Sequence, residues 1–507
     1  MKSNYFDTAA GNTEVGRDAQ WRKALRDGMS AKERTAIPRV KMPELPADYR
    51  VTCNEEVNCG LSEEQAVLEA TRCMDCPDPQ CVNGCPVGID IPGFIKNIQR
   101  RHYGEALRVI NLTSALPAVC GRVCPQEKQC ESCCIYHKMK KQKQPVAIGY
   151  LERYAADSGT QLREAETQDA DPQAIQTVTE GGVKVAVVGS GPAGLSFAGS
   201  MAAYGYDVTV YEALHEIGGV LKYGIPEFRL PNRVVDLEIE SLRRRGVKFV
   251  TDCVVGKTLS YDDLLEMGYE GVFVGSGAGL PRFMGIPGEN LIGVMSSNEY
   301  LTRVNLMGAG QPGHDTPVAR GRVAAIIGGG NTAMDSVRTA RRMGAEKVML
   351  VYRRGEEEMP ARIEEIKHAK EEGVEFMTLC NPIEYIGDEA GHVRMMRVQR
   401  MALGEPDESG RRSPVPVEGA IDEIPVDMVI VSVGVSPNPL IPHSFEGLEV
   451  SRRGTIVVDD VTMQSSLAPL YAGGDIVRGG ATVILAMGDG RRAAESMHRN
   501  LTEKCAK

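Results

Sequence analysis

Apolar and polar positions divide this chain into two kinds of territory. From residue 183 onward, short apolar runs alternate with helix-length segments. Val183-Lys184-Val185-Ala186-Val187-Val188 reads as a buried strand, and 193–204 as the helix after it. Asp207-Val208-Thr209-Val210-Tyr211 is a second strand. The pattern recurs at Val323–Ile327, 332–343 and Val348–Tyr352. Alternation of this kind predicts a doubly wound α/β fold with parallel sheets. Ahead of residue 157 the periodicity is helical. LSEEQAVLEATRC (61–73) opens on a good N-cap, Ser62, with glutamates in its first turn. Residues 91–115 suggest two helices with Gly104 near the junction, and 145–156 another. Residues 157–181 are polar without an apolar period and read as a linker. Residues 1–60 are polar and basic between Arg22 and Lys41, and suggest a partly extended arm with short helices.

The cysteines change the picture most. Eleven of fourteen precede residue 135. Cys73, Cys76, Cys81 and Cys85 follow one another at x2, x4 and x3 spacing, and Pro86 follows the last. Cys120, Cys124, Cys130, Cys133 and Cys134 form a second group, with Pro125 after Cys124. Such spacing suits iron–sulfur clusters. A disulfide framework would need an oxidising compartment, and Met1 to Trp21 shows no apolar core of a secretory signal. Cys53, Cys59, Cys253, Cys380 and Cys505 stand alone and read as ordinary thiols. No CxxC lies in the α/β region, which argues against a disulfide reductase.

Two glycine motifs follow strands. The first is Gly189-Ser190-Gly191-Pro192-Ala193-Gly194, with Glu212 at the end of the next strand, where a ribose hydroxyl needs an acceptor. The helix N-terminus favours the pyrophosphate charge. The second is Gly328-Gly329-Gly330-Asn331-Thr332-Ala333, and Arg353-Arg354 occupies the place of that acidic residue. Guanidinium forks bind a 2′-phosphate that a carboxylate would repel, so this site should prefer NADP(H). The first suits FAD. Near the C-terminus, Gly473-Gly474-Asp475 and the segment from Ala481 and Thr482 to Gly490 could place Asp475 on a ribityl hydroxyl and a helix dipole at the flavin ring.

With 507 residues and 42% hydrophobic content, the chain can fill three or four domains. A net charge of −10 argues against nucleic acid as a main partner. No apolar run reaches the roughly 18 residues that span a bilayer. A soluble cytoplasmic enzyme is the expectation.

Four further stretches carry a family resemblance: CPVGIDIPGFI (85–95), LPAVCGRVCPQEKQCE (116–131), PVAIGYLERY (145–154) and GGVLKYGIPEFRLP (218–231). With the two glycine motifs, the GGD and Val431–Gly434, they resemble the small (β) chain of NADPH-dependent glutamate synthase. Close relatives are the large subunit of NADH-dependent ferredoxin:NADP oxidoreductase and the N-terminal part of dihydropyrimidine dehydrogenase. The resemblance implies a helical iron–sulfur domain followed by two Rossmann-like domains in the two-dinucleotide flavin reductase fold. It divides the chain into an arm (1–60), an iron–sulfur domain (61–165), a linker (166–182), an FAD domain (183–316 with 436–507) and an NADPH domain (317–435). It implies one 4Fe-4S cluster on Cys73, Cys76, Cys81 and Cys134, and a second on Cys85, Cys124 and Cys130 with Glu152 as oxygen ligand. Cys120 and Cys133 match no ligand. Gly219 and the 222–231 segment would line the flavin. Electrons would pass from NADPH through FAD and the clusters to a large FMN-containing subunit that makes glutamate from glutamine and 2-oxoglutarate, in a hetero-oligomer. The alternative partner is the small flavin reductase subunit of a bifurcating ferredoxin system. No acid–base catalyst is named, since hydride passes between cofactors.

Overall fold

The computed structural model describes residues 16–139, 143–167, 182–408 and 410–505. The start of the arm and most of the expected linker lie outside these residues.

Two five-stranded parallel sheets organise the molecule. In the first, the order is Leu470–Ala472, Tyr269–Val274, Lys184–Val188, Asp207–Tyr211 and Lys248–Val250. In the second it is Val294–Ser296, Met428–Val431, Val323–Ile327, Lys347–Tyr352 and Glu375–Thr378. A three-stranded antiparallel sheet, Cys380–Gly387, Val393–Pro406 and Arg412–Pro425, grows from the last strand of the second. The central strands are buried along nearly their whole length, which is why they read as unbroken apolar runs.

The chain passes between the sheets at Leu280–Pro281 and returns at Val435–Ser436, and these two short strands pair with each other. The expected boundary at 316/317 is therefore late. Val294–Ser296 already belongs to the second sheet because it supplies that sheet's edge beside Met428–Val431. At the C-terminal return, Leu470–Ala472 joins the first sheet, and helix Val483–Cys505 packs on helix Pro192–Ala203. That crossing is tight, since a Cβ on Gly490 would lie 2.2 Å from the Ala193 carbonyl oxygen.

The cysteine-rich segment is helical, as expected. Glu63–Thr71 starts at a capping box on Ser62, and Ile91–Gln99 is capped by Asp90. Helix Ile148–Thr167 runs into the polar stretch that suggested a linker from 157. Gly159 explains the extension: a Cβ there would meet Leu107 at 2.7 Å, so the bare backbone packs closely on the neighbouring helix. One continuous hydrophobic cluster joins Phe94, Val119 and Leu151 of this segment to Val187, Phe197 and Met487 of the first α/β unit. The two share a core instead of being strung on a tether.

The basic arm differs from its expectation most. It forms helices Gln20–Asp27, Ala31–Ala36 and Ala47–Arg50, and Arg22, Arg34 and Arg50 are buried. Arg50, 1% exposed, bonds Glu372 at 2.9 Å and Glu371 at 2.8 Å. Arg338 and Arg342 bond the same Glu372 and sandwich Phe228 with their guanidinium groups. Removing one partner of such a buried set leaves a charge uncompensated. Arg50→Ala is expected to cost about 3 kcal/mol of stability. Arg322→Ala, which breaks an exposed pair with Glu346, should leave stability nearly unchanged. Comparing the two variants by chemical denaturation checks the contrast.

Candidate functional site

Two buried groups of thiols occupy the helical segment. Cys73, Cys76, Cys81 and Cys134 face one another. The Cys76 thiol is pushed up to about 11 by burial and then by Cys73 and Cys134. Burial and the same neighbours raise Cys81 further. Thiols that oppose each other's ionisation form a pocket suited to a positively charged inorganic core, which would reverse that penalty. The sequence brings them together through a turn at Asp75 (φ +51°), the return at Cys81, and Cys134 sixty residues away.

The second group is Cys85, Cys124, Cys130 and Glu152. Burial pushes Cys85 up to about 12, with Glu152 and Cys124 among its neighbours. Cys130 is raised by burial and by Glu131, Cys85, Glu152 and Cys124. Glu152 is 5% exposed, and burial followed by Glu238 pushes its carboxyl up to about 8. Its Oε1 is buried with no hydrogen-bond partner. An orphaned carboxyl oxygen beside three thiols, two of them buried, fits a cluster ligand set with one oxygen donor. Cys120 is also buried here: its thiol bonds Cys124, which raises it, and contacts Met487 Sδ at 3.5 Å. Cys133 lies apart, half-buried, 3.8 Å from the Ser132 hydroxyl.

The first glycine motif borders a cavity of about 1040 Å³. Gly189, Gly191, Pro192, Ala193, Glu212, Gly219, Gly474, Asp475, Ala481 and Thr482 all line it. Gly194 lies behind the wall and is sterically obligatory, since a Cβ would stand 2.0 Å from the Gly189 oxygen. Glu212 closes the second strand and accepts from the Ser190 and Leu214 amides, both at 2.9 Å. Ser190 Oγ bonds Glu212 and accepts from the Gly218 amide, so Ser190, which sequence reasoning passed over, ties the motif to the Gly218–Gly219 turn. Asp475 is pushed up to about 6 by burial. The buried Asp489 accepts the Gly474 amide at 3.0 Å and pairs with Arg478 and Arg492, which fixes the GGD turn. Its only sequence signal was its place in the glycine-rich helix start.

A second cavity, about 710 Å³, is lined by Gly328, Gly330, Thr332, Arg353 and Arg354. Asn331 borders the first cavity, and its Oδ1 accepts the Arg362 amide. Ala333 is buried in the helix behind. Arg353 is exposed at the cavity, whereas Arg354 is buried and held by Asp407 at 2.7 Å and by the Arg412 carbonyl at 2.9 Å. Arg282 and Arg411 also line this cavity, which sequence spacing could not indicate because they come from distant segments. The two cavities meet: Pro281, Phe283, Asn298, Thr332 and Val435 border both. Val123 and Pro125, on either side of Cys124, stand in the wall of the first. The Pro86 oxygen would lie 3.0 Å from a Cβ on Gly488, so the Cys85 loop rests on the same C-terminal helix.

Comparison with known proteins agrees with this geometry. Residues 50–164 match the family described as dihydropyrimidine dehydrogenase domain II, 4Fe-4S cluster. Residues 183–490 match the pyridine nucleotide-disulphide oxidoreductase family. The glutamate synthase (NADPH) small chain of Azospirillum brasilense is 36% identical over 465 residues, covering 90% of this chain and 94% of its own. The Escherichia coli K12 counterpart is 35% identical over 91% of this chain and 97% of its own. The NADP(+)-dependent formate dehydrogenase subunit beta of Moorella thermoacetica is 38% identical over 83% of this chain and 60% of its own. Among solved structures, Mycobacterium tuberculosis FprA in complex with NADPH superposes with a TM-score of 0.54 at 21% identity, over 64% of this chain and 86% of that one, and so shares the fold.

Gly194→Val is expected to yield folded protein without a nucleotide in the first cavity, read as loss of visible flavin absorbance. Gly330→Ala, where a Cβ meets nothing within 4 Å, should keep it.

Proposed function

The chain belongs to the pyridine nucleotide-disulphide oxidoreductase family, in the group of the glutamate synthase (NADPH) small chains, and from this premise we propose that it oxidises NADPH and delivers the electrons to a large partner subunit. The observation that carries the reading is the junction of the two cavities at Thr332 and Pro281, with Val123 and Pro125 of the cysteine segment in the wall of the first. The two cavities and the cysteine segment thus adjoin one another.

The residues divide the work. Gly189, Gly191 and the N-terminus of helix Pro192–Ala203 would receive the FAD pyrophosphate, with Glu212 at the ribose. Gly219, Gly474, Asp475, Ala481 and Thr482 would hold the ribityl and ring end. Gly328, Gly330, Asn331, Thr332 and Ala333 form the corresponding turn and helix start for NADPH. Arg353 would take its 2′-phosphate, with Arg354 beside it. Cys73, Cys76, Cys81 and Cys134 would hold one 4Fe-4S cluster. Cys85, Cys124, Cys130 and Glu152 would hold another. When bound, FAD accepts a hydride and the clusters carry electrons singly. The chain contributes position and a dry boundary: both cysteine groups are largely buried, which keeps water from the electron path.

The partner proposed is the FMN-containing subunit that makes glutamate from glutamine and 2-oxoglutarate. Among the described residues no helix is long and apolar enough to cross a membrane, and we place the complex in the cytoplasm.

Anaerobic titration tests the reading. NADPH should bleach the flavin band rapidly and NADH little; the reverse preference would remove the 2′-phosphate assignment. Arg353→Gln should raise KM for NADPH about tenfold or more, the worth of one charge-assisted hydrogen bond, and leave KM for NADH nearly unchanged. The isolated chain should reduce artificial acceptors with NADPH and form no glutamate until the large subunit is added.

A further inference from the structure

The arm that the sequence left without a role ends on the first cysteine group. Asp75 lies between Cys73 and Cys76 and is fully buried. It takes a left-handed backbone conformation, φ +51°, which a residue with a side chain adopts at a cost. Three arginines of the arm converge on it. Arg22 reaches the Asp75 carboxylate with Nη2 at 2.6 Å and Nε at 3.0 Å. Arg26 Nη1 takes the other side at 2.7 Å. Arg17 Nε bonds the Asp75 carbonyl at 3.0 Å. A solvated basic arm would leave these groups in water, yet Arg22 is 3% exposed.

The turn has a direct consequence for the thiols. It aims the Asp75 amide at Cys73 Sγ, 3.5 Å away. The same network secures the other side of the group. Arg22 Nη1 lies 3.7 Å from Asp90, which caps helix Ile91–Gln99 through the Gly93 amide. That helix sends the buried Lys96 back to the Cys73 carbonyl at 2.7 Å. Trp21, beside Arg22, lies beneath the Arg100 guanidinium at 3.7 Å. Arg34 bonds the Thr71 carbonyl just ahead of Cys73.

We propose that Arg22 and Arg26 are positioning residues for the first cysteine group: they hold Asp75 in the turn that brings Cys73 and Cys76 to bear on one centre, so that the arm is part of the cluster-binding unit. The proposal rests on the cluster reading given above. Asp75 needs both forks because its carboxylate is wholly removed from water. With either guanidinium gone, the turn can be relieved by letting the carboxylate swing out to solvent, and the thiols separate with it.

The test uses the full chain, reconstituted anaerobically with iron and sulfide. Iron, sulfide and FAD per chain are measured with the electron paramagnetic resonance spectrum of the reduced protein. Arg22→Gln and Asp75→Asn are expected to hold about half the wild-type iron, one cluster of two, with FAD unchanged. The signal they lose should be the one lost in Cys76→Ser and kept in Cys124→Ser. Arg26→Gln, the milder change because Arg26 is less buried, should release that iron to a chelator about tenfold faster than wild type. It serves as the deciding variant should Arg22→Gln lose FAD. Wild-type iron, spectrum and chelator resistance in Arg26→Gln would overturn the proposal. A wild-type chain that takes up no iron would overturn the cluster reading itself, and is told apart from the first failure by that measurement alone.

Discussion

A knot of buried charge holds the two α/β units and the arm in register, and the alignment of the cavities depends on it. Arg229, from the first unit, bonds Asp335 and forms an ion pair with Glu365 of the second. Arg338 joins Glu365 to Glu372, and Arg342 and Arg50 bond Glu372 in turn. Phe228 fills the space under two of the guanidinium planes, and its carbonyl accepts the Val57 amide. The pairs act on one another. Among the arginines, Glu365 is pulled well below the ordinary carboxylate range, while Asp335, where burial prevails, is pushed up to about 6. Such sets add little net stability over apolar packing, but they tolerate one arrangement only. A hydrophobic interface could slide; this one has discrete partners, and Thr332 of the same helix as Asp335 and Arg338 stands where the cavities meet.

The cysteine segment is fastened to the second unit in the same way. Arg362 reaches the Arg122 carbonyl at 2.6 Å and Gln126 Oε1 at 3.1 Å, and Lys128 bonds the Pro360 carbonyl. These contacts fall within a few residues of Cys120, Cys124 and Cys130. The loop that carries the second thiol group is therefore braced by the unit that presents Arg353, even though its apolar core is shared with the other unit.

Local signals in the sequence were enough for much of this. The apolar runs at 183–188 and 323–327, the glycines after them and Glu212 each state their role within about thirty residues, so strand, turn and helix start were legible. Capping at Ser62 was too. What was not legible depends on long separations. Arg50 meets Glu372 across 322 positions, and nothing near either residue says that a basic arm will be buried. The edge strand Val294–Ser296 is three residues long and gains its identity only from Met428–Val431. Glu152 was reached by resemblance alone, because a glutamate in a helix carries no mark of the thiols it will face. Arg354 reads like Arg353 in the sequence, and only the fold of the Arg412 strand back over it separates their surroundings.

The order of strands in the first sheet has a consequence for biogenesis. Tyr269–Val274 is flanked on one side by Lys184–Val188, made shortly before it, and on the other by Leu470–Ala472. At ~5–20 residues per second, a ribosome takes roughly 10–40 s to travel from Val274 to Leu470. During that interval Val272 and Phe273 lack their last neighbour, and helix Pro192–Ala203 lacks the C-terminal helix that covers it. The first unit thus cannot close, nor its cavity take final shape, until Leu470–Ala472 and helix Val483–Cys505 have been made. Until then the half-built sheet is a client for whatever shields unpaired edges during synthesis.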